Sequence, residues 1–324
     1  MNFNLLGRTG LQVSELCFGT MSFGGDADAK EAEKMYRAAR QAGINFFDCA
    51  NVYNNGEAEK ILGQLIANER DEIIITSKCA MPTSEDINDR GASRRHIRSA
   101  VEGSLKRLNT DRIDVFLMHR WDENTPLEET LRGLEDLVRE GKILYTGASN
   151  YAAWQVMKAL GLSARQGLTR FDVIQPMYNL VRRQAESEIL PLALSENLGV
   201  MTYGPVGGGL LSGKYAPGSL PPSGRLVDNL DYKARYDENW VYETAGRFTR
   251  FAAELNCHPV SLAVAWVAAH PGVTCPIIGA RNLQQLQPSI DSINVDMDED
   301  LRDSMSALSR EPALATDRLE EKRS

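Results

Sequence analysis

The sequence predicts an α/β fold, a (β/α)8 TIM barrel with an N-terminal β-hairpin and extra helices near the C-terminus. Two observations support it. Short runs rich in β-branched and aromatic residues alternate with segments of helical apolar spacing, and eight such runs can be counted. The length of 324 residues also suits one large barrel. No linker divides the chain, so we predict a single domain over 1–324 with a polar tail at 311–324.

The eight predicted strands are separated by helical segments. They are Glu15–Gly19, Ile44–Asp48, Ile73–Lys78, Ile113–His119, Ile143–Ser149, Phe171–Gln175, Gly199–Tyr203 and Pro276–Gly279. Ahead of them, Asn2–Leu6 and Leu11–Ser14 read as a short hairpin, which would close the N-terminal end of the barrel. Near the C-terminus, Trp240–Leu255 and Pro259–Ala269 predict further helices.

One segment, Tyr215–Glu238, interrupts the alternation. It is rich in Gly, Pro and Asp and has no sustained hydrophobic period. A long loop of this kind in a compact domain is usually a lid or a disordered insertion. Because it follows the seventh predicted strand, we expect it to lie over the C-terminal face of the barrel.

Composition narrows the class of partner. A net charge of -8 argues against nucleic acid as a partner. The longest apolar stretch, near Leu262–Ala269, is too short to cross a bilayer, and the N-terminus lacks a signal-peptide pattern. The five cysteines are scattered and form no Cys-x-x-Cys pair, which is typical of a reducing compartment. The four histidines have no metal-ligand spacing, so we predict no metal site. The absence of a long apolar stretch and the scattered cysteines predict no membrane association and a cytoplasmic location.

Residues that can hold or move a proton follow the predicted strands. Asp48, Lys78 and His119 each end one strand, and Tyr53 lies just beyond the second. The carboxyl ends of parallel strands share one face, so these side chains should meet. A lysine beside a tyrosine favours the phenolate, and a carboxylate would hold the lysine. Taken singly, each residue is better explained by a structural ion pair or a buried histidine. Together they predict proton delivery to a carbonyl oxygen, the acid half of carbonyl reduction.

Several motifs then resemble the aldo-keto reductase family in their order. They are Phe18–Met21, Phe47–Tyr53, Thr76–Lys78, Met118-His119, Gly147–Asn150, Gln175–Asn179, Tyr203–Val206, Gly207–Lys214 and Ile278–Arg281. The resemblance covers the chain from the hairpin to about Ser289. It implies a barrel that binds an extended nicotinamide dinucleotide and reduces aldehydes or ketones, or oxidises an alcohol or sugar. It also implies a monomer or weak homo-oligomer with a small carbonyl or alcohol substrate.

The resemblance assigns roles residue by residue. It makes Tyr53 the proton donor, supported by Asp48 and Lys78, with His119 binding the carbonyl. Ser149, Asn150 and Gln175 match positions that hold the nicotinamide carboxamide, and Tyr203 the residue that stacks on its ring. The other expected cofactor-binding residues are Gly19, Thr20, Met21, Gly204, Pro205, Val206, Gly208, Leu210, Gly213, Lys214, Gly279, Arg281, Gln285 and Ser289.

Two patterns bear on the nucleotide. Gly208–Lys214 has the spacing of a phosphate-binding loop, but Tyr215 stands where that loop needs Ser or Thr, so a triphosphatase is not expected. The chain also lacks Gly-x-Gly-x-x-Gly, as a barrel cofactor site would. Where many family members carry a Lys-Ser pair and a later Arg around the 2′-phosphate, this chain has Gly279, Ala280 and Gln285, with Arg281 in the turn. This departure weakens the usual assignment of NADPH without reversing it, because one subgroup of the family carries the same Gly-Ala-Arg turn and uses that arginine on the phosphate. The resemblance thus implies NADPH held through Arg281, with NADH as the alternative cofactor.

Two functions remain open at this point. One is an NADPH-dependent reductase. The other is a cofactor-binding regulatory subunit, as potassium-channel β-subunits of the same family are. The presence of Asp48, Tyr53, Lys78 and His119 together favours the enzyme. Trp121 and Trp240 are candidates for an apolar wall of a substrate pocket.

Overall fold

The computed structural model describes residues 1–215, 221–316, 318 and 320. It confirms a closed barrel of eight parallel strands in sequence order, with the last strand pairing back to the first. A two-stranded antiparallel hairpin precedes it. The hairpin strands are β1 (Phe3–Leu5) and β2 (Gln12–Ser14), and the barrel strands are β3 (Cys17–Gly19), β4 (Phe46–Asp48), β5 (Ile74–Cys79), β6 (Ile113–Met118), β7 (Ile143–Ser149), β8 (Phe171–Gln175), β9 (Gly199–Tyr203) and β10 (Cys275–Ile278).

Helices surround the barrel, and the longer ones bury one apolar face. In order they are α1 (Ala29–Gln41), α2 (Glu57–Leu65), α3 (Arg94–Leu108), α4 (Leu127–Arg139), α5 (Ala153–Gln166), α6 (Ile189–Glu196), α7 (Arg225–Asp228), α8 (Leu230–Arg235), α9 (Asn239–Glu254), α10 (Pro259–Ala268), α11 (Leu283–Ile290) and α12 (Glu299–Ser306). In α4, Leu127, Leu131 and Leu134 are buried at the spacing of one helical face. No helix in the described ranges is long and apolar enough to cross a membrane.

The strand ends agree with the sequence prediction to within one or two residues. The largest difference is the later start of β3 and β4, at Cys17 and Phe46. Before β4, the Asn45 side chain accepts from Ser14 N at 2.8 Å, and Asn45 N donates to Ser14 Oγ at 3.2 Å. Side chains therefore satisfy backbone groups that a longer strand would have paired. No propensity of the flanking residues signals this exchange.

The hairpin closes the N-terminal end of the barrel, as its position predicted. Leu6 and Val13 are fully buried in one cluster with inward residues such as Phe46 and Val115. At the hairpin turn Gly7 has φ +55°, and a Cβ there would lie 2.4 Å from Gly199 N. Only glycine allows both that conformation and so close an approach to the start of β9.

The segment after β9 is more structured than its composition indicates. It contains α7 and α8, and Tyr215, Leu226 and Tyr236 are almost fully buried. Helices of four and six residues are too short to show a hydrophobic period, which explains why the sequence reads as a loop. Residues 216–220 of this segment lie outside the described part of the chain.

Candidate active site

Strand alternation places the candidate residues inside the barrel at its C-terminal end. Phe46 and Val173 belong to the buried interior cluster. Side chains two residues apart on a strand face the same way, so Asp48 and Gln175 also point inward. The hydrogen bond from Gln175 Nε2 to Asp48 Oδ1, at 2.9 Å, spans the interior between them.

The Asp48 carboxylate is the buried centre of this arrangement. Besides Gln175 it accepts from Lys78 Nζ at 2.7 Å and from Thr76 Oγ1 at 2.5 Å. Thr76 was not predicted as a site residue, although it lies two positions before Lys78 on the inward face of β5. Gln175, expected beside a carboxamide, uses its amide nitrogen on Asp48. Three donors satisfy the carboxylate, as a buried charge requires.

Lys78 links that carboxylate to Tyr53. Its Nζ, fully buried, donates to Asp48, to Cys49 O at 2.8 Å and to Tyr53 Oη at 3.1 Å, which uses all three ammonium hydrogens. Burial alone would lower the pKa of Lys78, but the Asp48 carboxylate and Tyr53 outweigh it and raise the pKa. The ammonium is therefore the stable form, fixed against the phenol.

Tyr53 lies just after β4, in a short helical turn at Tyr53–Gly56 with left-handed Asn54 and Asn55. Burial raises its pKa to about 12, while Lys78 opposes that shift. The sequence argument anticipated the direction of the lysine's effect but not that desolvation would exceed it. At neutral pH the phenol is protonated, which is the form a proton donor needs.

His119 faces Tyr53 across the mouth of the barrel. Their rings are 6.0 Å apart and nearly perpendicular. The backbone N of His119 donates to Cys79 O at 2.7 Å, and its Nδ1 is buried with no hydrogen-bond partner in the described ranges. Burial, with Lys78 and Arg120 adding to it, lowers the pKa of His119 to about 3. The imidazole is neutral at ordinary pH, so it can donate a hydrogen bond but holds no charge.

A second chain of hydrogen bonds runs along the ends of β6 to β9. Tyr203 Oη donates to Asn150 Oδ1 at 2.7 Å, and Asn150 Nδ2 donates to His119 O at 3.0 Å and to Ser149 Oγ at 3.1 Å. Ser149 Oγ in turn donates to Gln175 O at 2.9 Å. Asn150 has φ +59°, which turns its amide back over the strand ends. The residues predicted for the nicotinamide end are thus brought together.

Half of residues 204–213, the glycine turn after β9, are glycines. Gly204, Gly207, Gly208, Gly209 and Gly213 all have positive φ. A Cβ at Gly208 would lie 2.8 Å from the Tyr232 ring, so a larger residue would clash with that ring. Such a run leaves bare backbone along which a phosphate can approach.

Other residues predicted for this rim differ in access. Leu210 and Thr20 are fully buried, and Thr20 Oγ1 bonds to Asp48 O at 3.0 Å, so neither side chain is free for a ligand. Gly19 and Val206 are partly exposed and Met21 is exposed, whereas Pro205 is buried.

Cationic side chains gather beyond the glycine turn. Burial lowers the pKa of Lys214, and the nearby Arg281 and Arg225 lower it further. Arg281 pairs through Nε with Asp26 Oδ2 at 3.1 Å. Gln285 Oε1 accepts from Arg281 N at 3.4 Å, while Ser289 lies on the buried side of α11. Gly279 comes close to β3, because a Cβ there would lie 3.2 Å from Gly19 O.

The two candidate wall residues lie in different surroundings. Trp121, in the loop after His119, packs edge-on against Tyr151 and Trp154, with ring centroids 5.3 and 5.8 Å away. Trp240 instead donates to Glu238 at 2.8 Å and lies under Arg310. Trp121 lies two residues after His119 and packs on Tyr151, the neighbour of Asn150, so its surroundings adjoin the strand-end residues. Within the described ranges, no group of three or more potential ligands could hold a metal ion.

Fold and strand-end arrangement together define a (β/α)8 barrel protein with a buried Asp–Lys–Tyr network at its mouth. The model of the Aldo/keto reductase family matches residues 15–310, so the chain belongs to that family of oxidoreductases, as the motifs predicted.

Three relatives from different organisms are similar to this chain over most of its length. An uncharacterized oxidoreductase YrpG of Bacillus subtilis is 38% identical over 93% of this chain and 94% of its own length. A probable voltage-gated potassium channel subunit beta of Oryza sativa is 38% identical over 91% and 92%. Norsolorinic acid reductase of Aspergillus flavus is 32% identical over 91% and 78%.

Proposed function

We propose that this protein is an NADPH-dependent reductase of aldehydes or ketones, able to run the reverse oxidation on an alcohol or sugar. The observation that carries the proposal is the position of Lys78 Nζ, bonded on one side to Asp48 and on the other to Tyr53 Oη. A fixed ammonium beside a protonated phenol is suited to delivering a proton and stabilising the phenolate left behind.

The chemistry divides between cofactor and chain. A nicotinamide cofactor held at the strand ends would supply a hydride for the carbonyl carbon. Tyr53 gives its hydroxyl proton to the carbonyl oxygen as the C=O π bond breaks, and Lys78 stabilises the resulting phenolate. Neutral His119 donates a hydrogen bond that orients the same oxygen. Solvent returns a proton to Tyr53 after the alcohol leaves.

Residues present in the structure fit such a cofactor. Ser149, Asn150, Gln175 and Tyr203 would hold the nicotinamide end, and the glycine turn with Lys214 the pyrophosphate. Arg281, with Gln285 beside it, would contact the adenosine 2′-phosphate. Lys214, Arg225 and Arg281 lie close enough for each arginine to depress the pKa of the lysine, and an anion would relieve that repulsion. NADPH would bring a second anion, the 2′-phosphate, to Arg281, and this supports NADPH over NADH. We propose a cytoplasmic monomer or weak homo-oligomer.

The direct test is a steady-state screen of aldehydes, ketones and sugars with NADPH and with NADH, following oxidation or reduction of the nicotinamide. We expect turnover on at least one carbonyl class and faster reaction with NADPH. A protein that binds the cofactor but turns over no compound would contradict the proposal.

A second candidate is a partner-binding subunit that retains the cofactor. Two relatives, from Oryza sativa and Arabidopsis thaliana, are named as probable potassium channel β-subunits and are 38% and 37% identical. The complete set of Asp48, Tyr53, Lys78 and His119 supports the enzyme more directly. Tight NADPH retention without turnover in the same screen would favour the second candidate.

A further inference from the structure

Three side chains of the segment after β3 hold the turn between β10 and α11. Ser22 Oγ donates to Ala280 O at 2.7 Å, and Glu31 Oε1 accepts from Leu283 N at 2.8 Å. Between them, the Asp26 carboxylate pairs with Arg281 Nε at 3.1 Å. These contacts join residues more than 250 positions apart in sequence.

The three contacts differ in what they reach. Ser22 and Glu31 bind backbone atoms, so they fix the course of the turn. Asp26 alone binds a side-chain charge, that of Arg281. The side chains of Asp26 and Arg281 are 45% and 36% exposed. A pair so exposed adds little to stability, so its main consequence is for what else the guanidinium can bind.

We propose that Asp26 is a specificity-determining residue that weakens binding of NADPH while leaving NADH unaffected. This rests on the proposed contact between Arg281 and the 2′-phosphate. A phosphate that reaches Arg281 meets a carboxylate already bonded to the same guanidinium. It must displace Asp26 from Nε or accept a like charge a few ångströms away, and either reduces the gain from the contact. NADH carries a 2′-hydroxyl and incurs neither cost.

The surroundings of Arg281 favour competition between Asp26 and the phosphate for its guanidinium over a role in which Asp26 only orients Arg281. Lys214 and Arg225 are the other nearby cations, since Arg225 and Arg281 both lower the pKa of Lys214, whereas the Asp26 carboxylate is bonded to Arg281 Nε at 3.1 Å. An anion placed among the three cations therefore shares Arg281 with Asp26. The preference for NADPH should be smaller than Arg281 alone would give.

A double-mutant cycle on Asp26 and Arg281 tests the proposal. Dissociation constants for NADPH and NADH are measured by quenching of intrinsic fluorescence for the wild type, Asp26→Asn, Arg281→Ala and the double variant. Glu33→Gln is the matched control, because it neutralises a carboxylate on α1 that pairs with Arg37 instead. We expect Asp26→Asn to tighten NADPH about three- to tenfold and to leave NADH within about twofold. In the Arg281→Ala background the gain should fall below about twofold.

The outcomes separate this inference from the proposed function. If Arg281→Ala weakens NADPH alone but Asp26→Asn changes nothing, the inference is wrong and the 2′-phosphate contact stands. Weaker NADPH binding by Asp26→Asn would show that the carboxylate orients Arg281, which also overturns it. Equal weakening of both cofactors by Arg281→Ala would refute the phosphate contact itself, and the inference with it.

Discussion

The two faces of β5 carry two buried carboxylate networks with different consequences. Lys78 points into the barrel and contacts Asp48, whose side chain is 4% exposed. Its neighbour Ser77 points outward and donates at 2.5 Å to Glu59, which is fully buried. Glu59 also accepts from Arg107 Nε at 2.6 Å. Each network thus contains a buried carboxylate, a hydroxyl group from β5 and a cation.

What separates them is the group at the end of each network. The inner network ends on the Tyr53 hydroxyl at the mouth of the barrel, whereas the outer one ends on Arg107, between α2 and α3. An arginine does not release its proton in proteins, but a phenol can. Burial and ion pairing therefore do not by themselves identify chemistry; a proton-bearing group with access to a ligand does.

Lys78→Met should have the largest effect, on the inner network alone. Removing one partner of a buried pair leaves Asp48 uncompensated, which costs on the order of 3–5 kcal/mol of stability. The phenolate also loses its cation, so turnover should collapse. Chemical denaturation and steady-state kinetics measure both, with the exposed Lys60→Met on α2 as control. An unchanged unfolding midpoint with full activity would show that Asp48 and Lys78 are bystanders.

Tyr53→Phe should separate rate from stability. Only a hydroxyl is lost, so cofactor affinity should remain near that of the wild type while kcat falls at least about a hundredfold, the scale of general acid catalysis. Tyr145→Phe is the control, because its hydroxyl bonds to Thr9 O at 2.8 Å at the hairpin end of the barrel. Near-parental turnover of Tyr53→Phe would assign the proton donor to another group or to water.

Glu59→Gln should give the opposite pattern in the outer network. The amide keeps a contact with Ser77 but leaves Arg107 without its counter-charge, so we expect about 1–3 kcal/mol lower stability. The kcat should stay within about twofold, since the cofactor and substrate residues are untouched. Glu57→Gln, which loses only an exposed pair with Lys60, should change little. A large loss of kcat without loss of stability would mean that the two faces of β5 are coupled.

The smallest effect concerns pH. Burial lowers the pKa of His119 from its ordinary value near 6.5 to about 3. The unfolded chain therefore binds more protons below pH 6.5, and stability held above that pH is lost as pH falls toward 3. At pH 5, His119 should account for about 1–2 kcal/mol of the loss. His119→Asn should flatten the decline in unfolding free energy between pH 7 and 5, as measured by chemical denaturation at each pH. Identical declines in wild type and His119→Asn would contradict a desolvated His119.

Sequence alone was enough to predict the barrel and the meeting of Asp48, Lys78 and Tyr53, but not the contacts that depend on neighbouring elements. Asp48, Lys78 and His119 could be placed because parallel strands end on one face. Thr76 could have been found from the same alternation, as the inward residue before Lys78. The outer network was out of reach, since Glu59, Ser77 and Arg107 meet only through the packing of α2 and α3 on β5. Asp26 was equally hidden, because an exposed loop carboxylate has no periodic pattern to reveal its partner.

The hairpin limits the route by which ligands can enter and leave the barrel. With Leu6 and Val13 filling the N-terminal end, molecules that reach Tyr53 must arrive and depart through the opposite opening. A binding site with a single opening imposes an order on the binding and release of its ligands. A ligand that lies deeper along the strand ends enters before the one that covers it and is the last to escape.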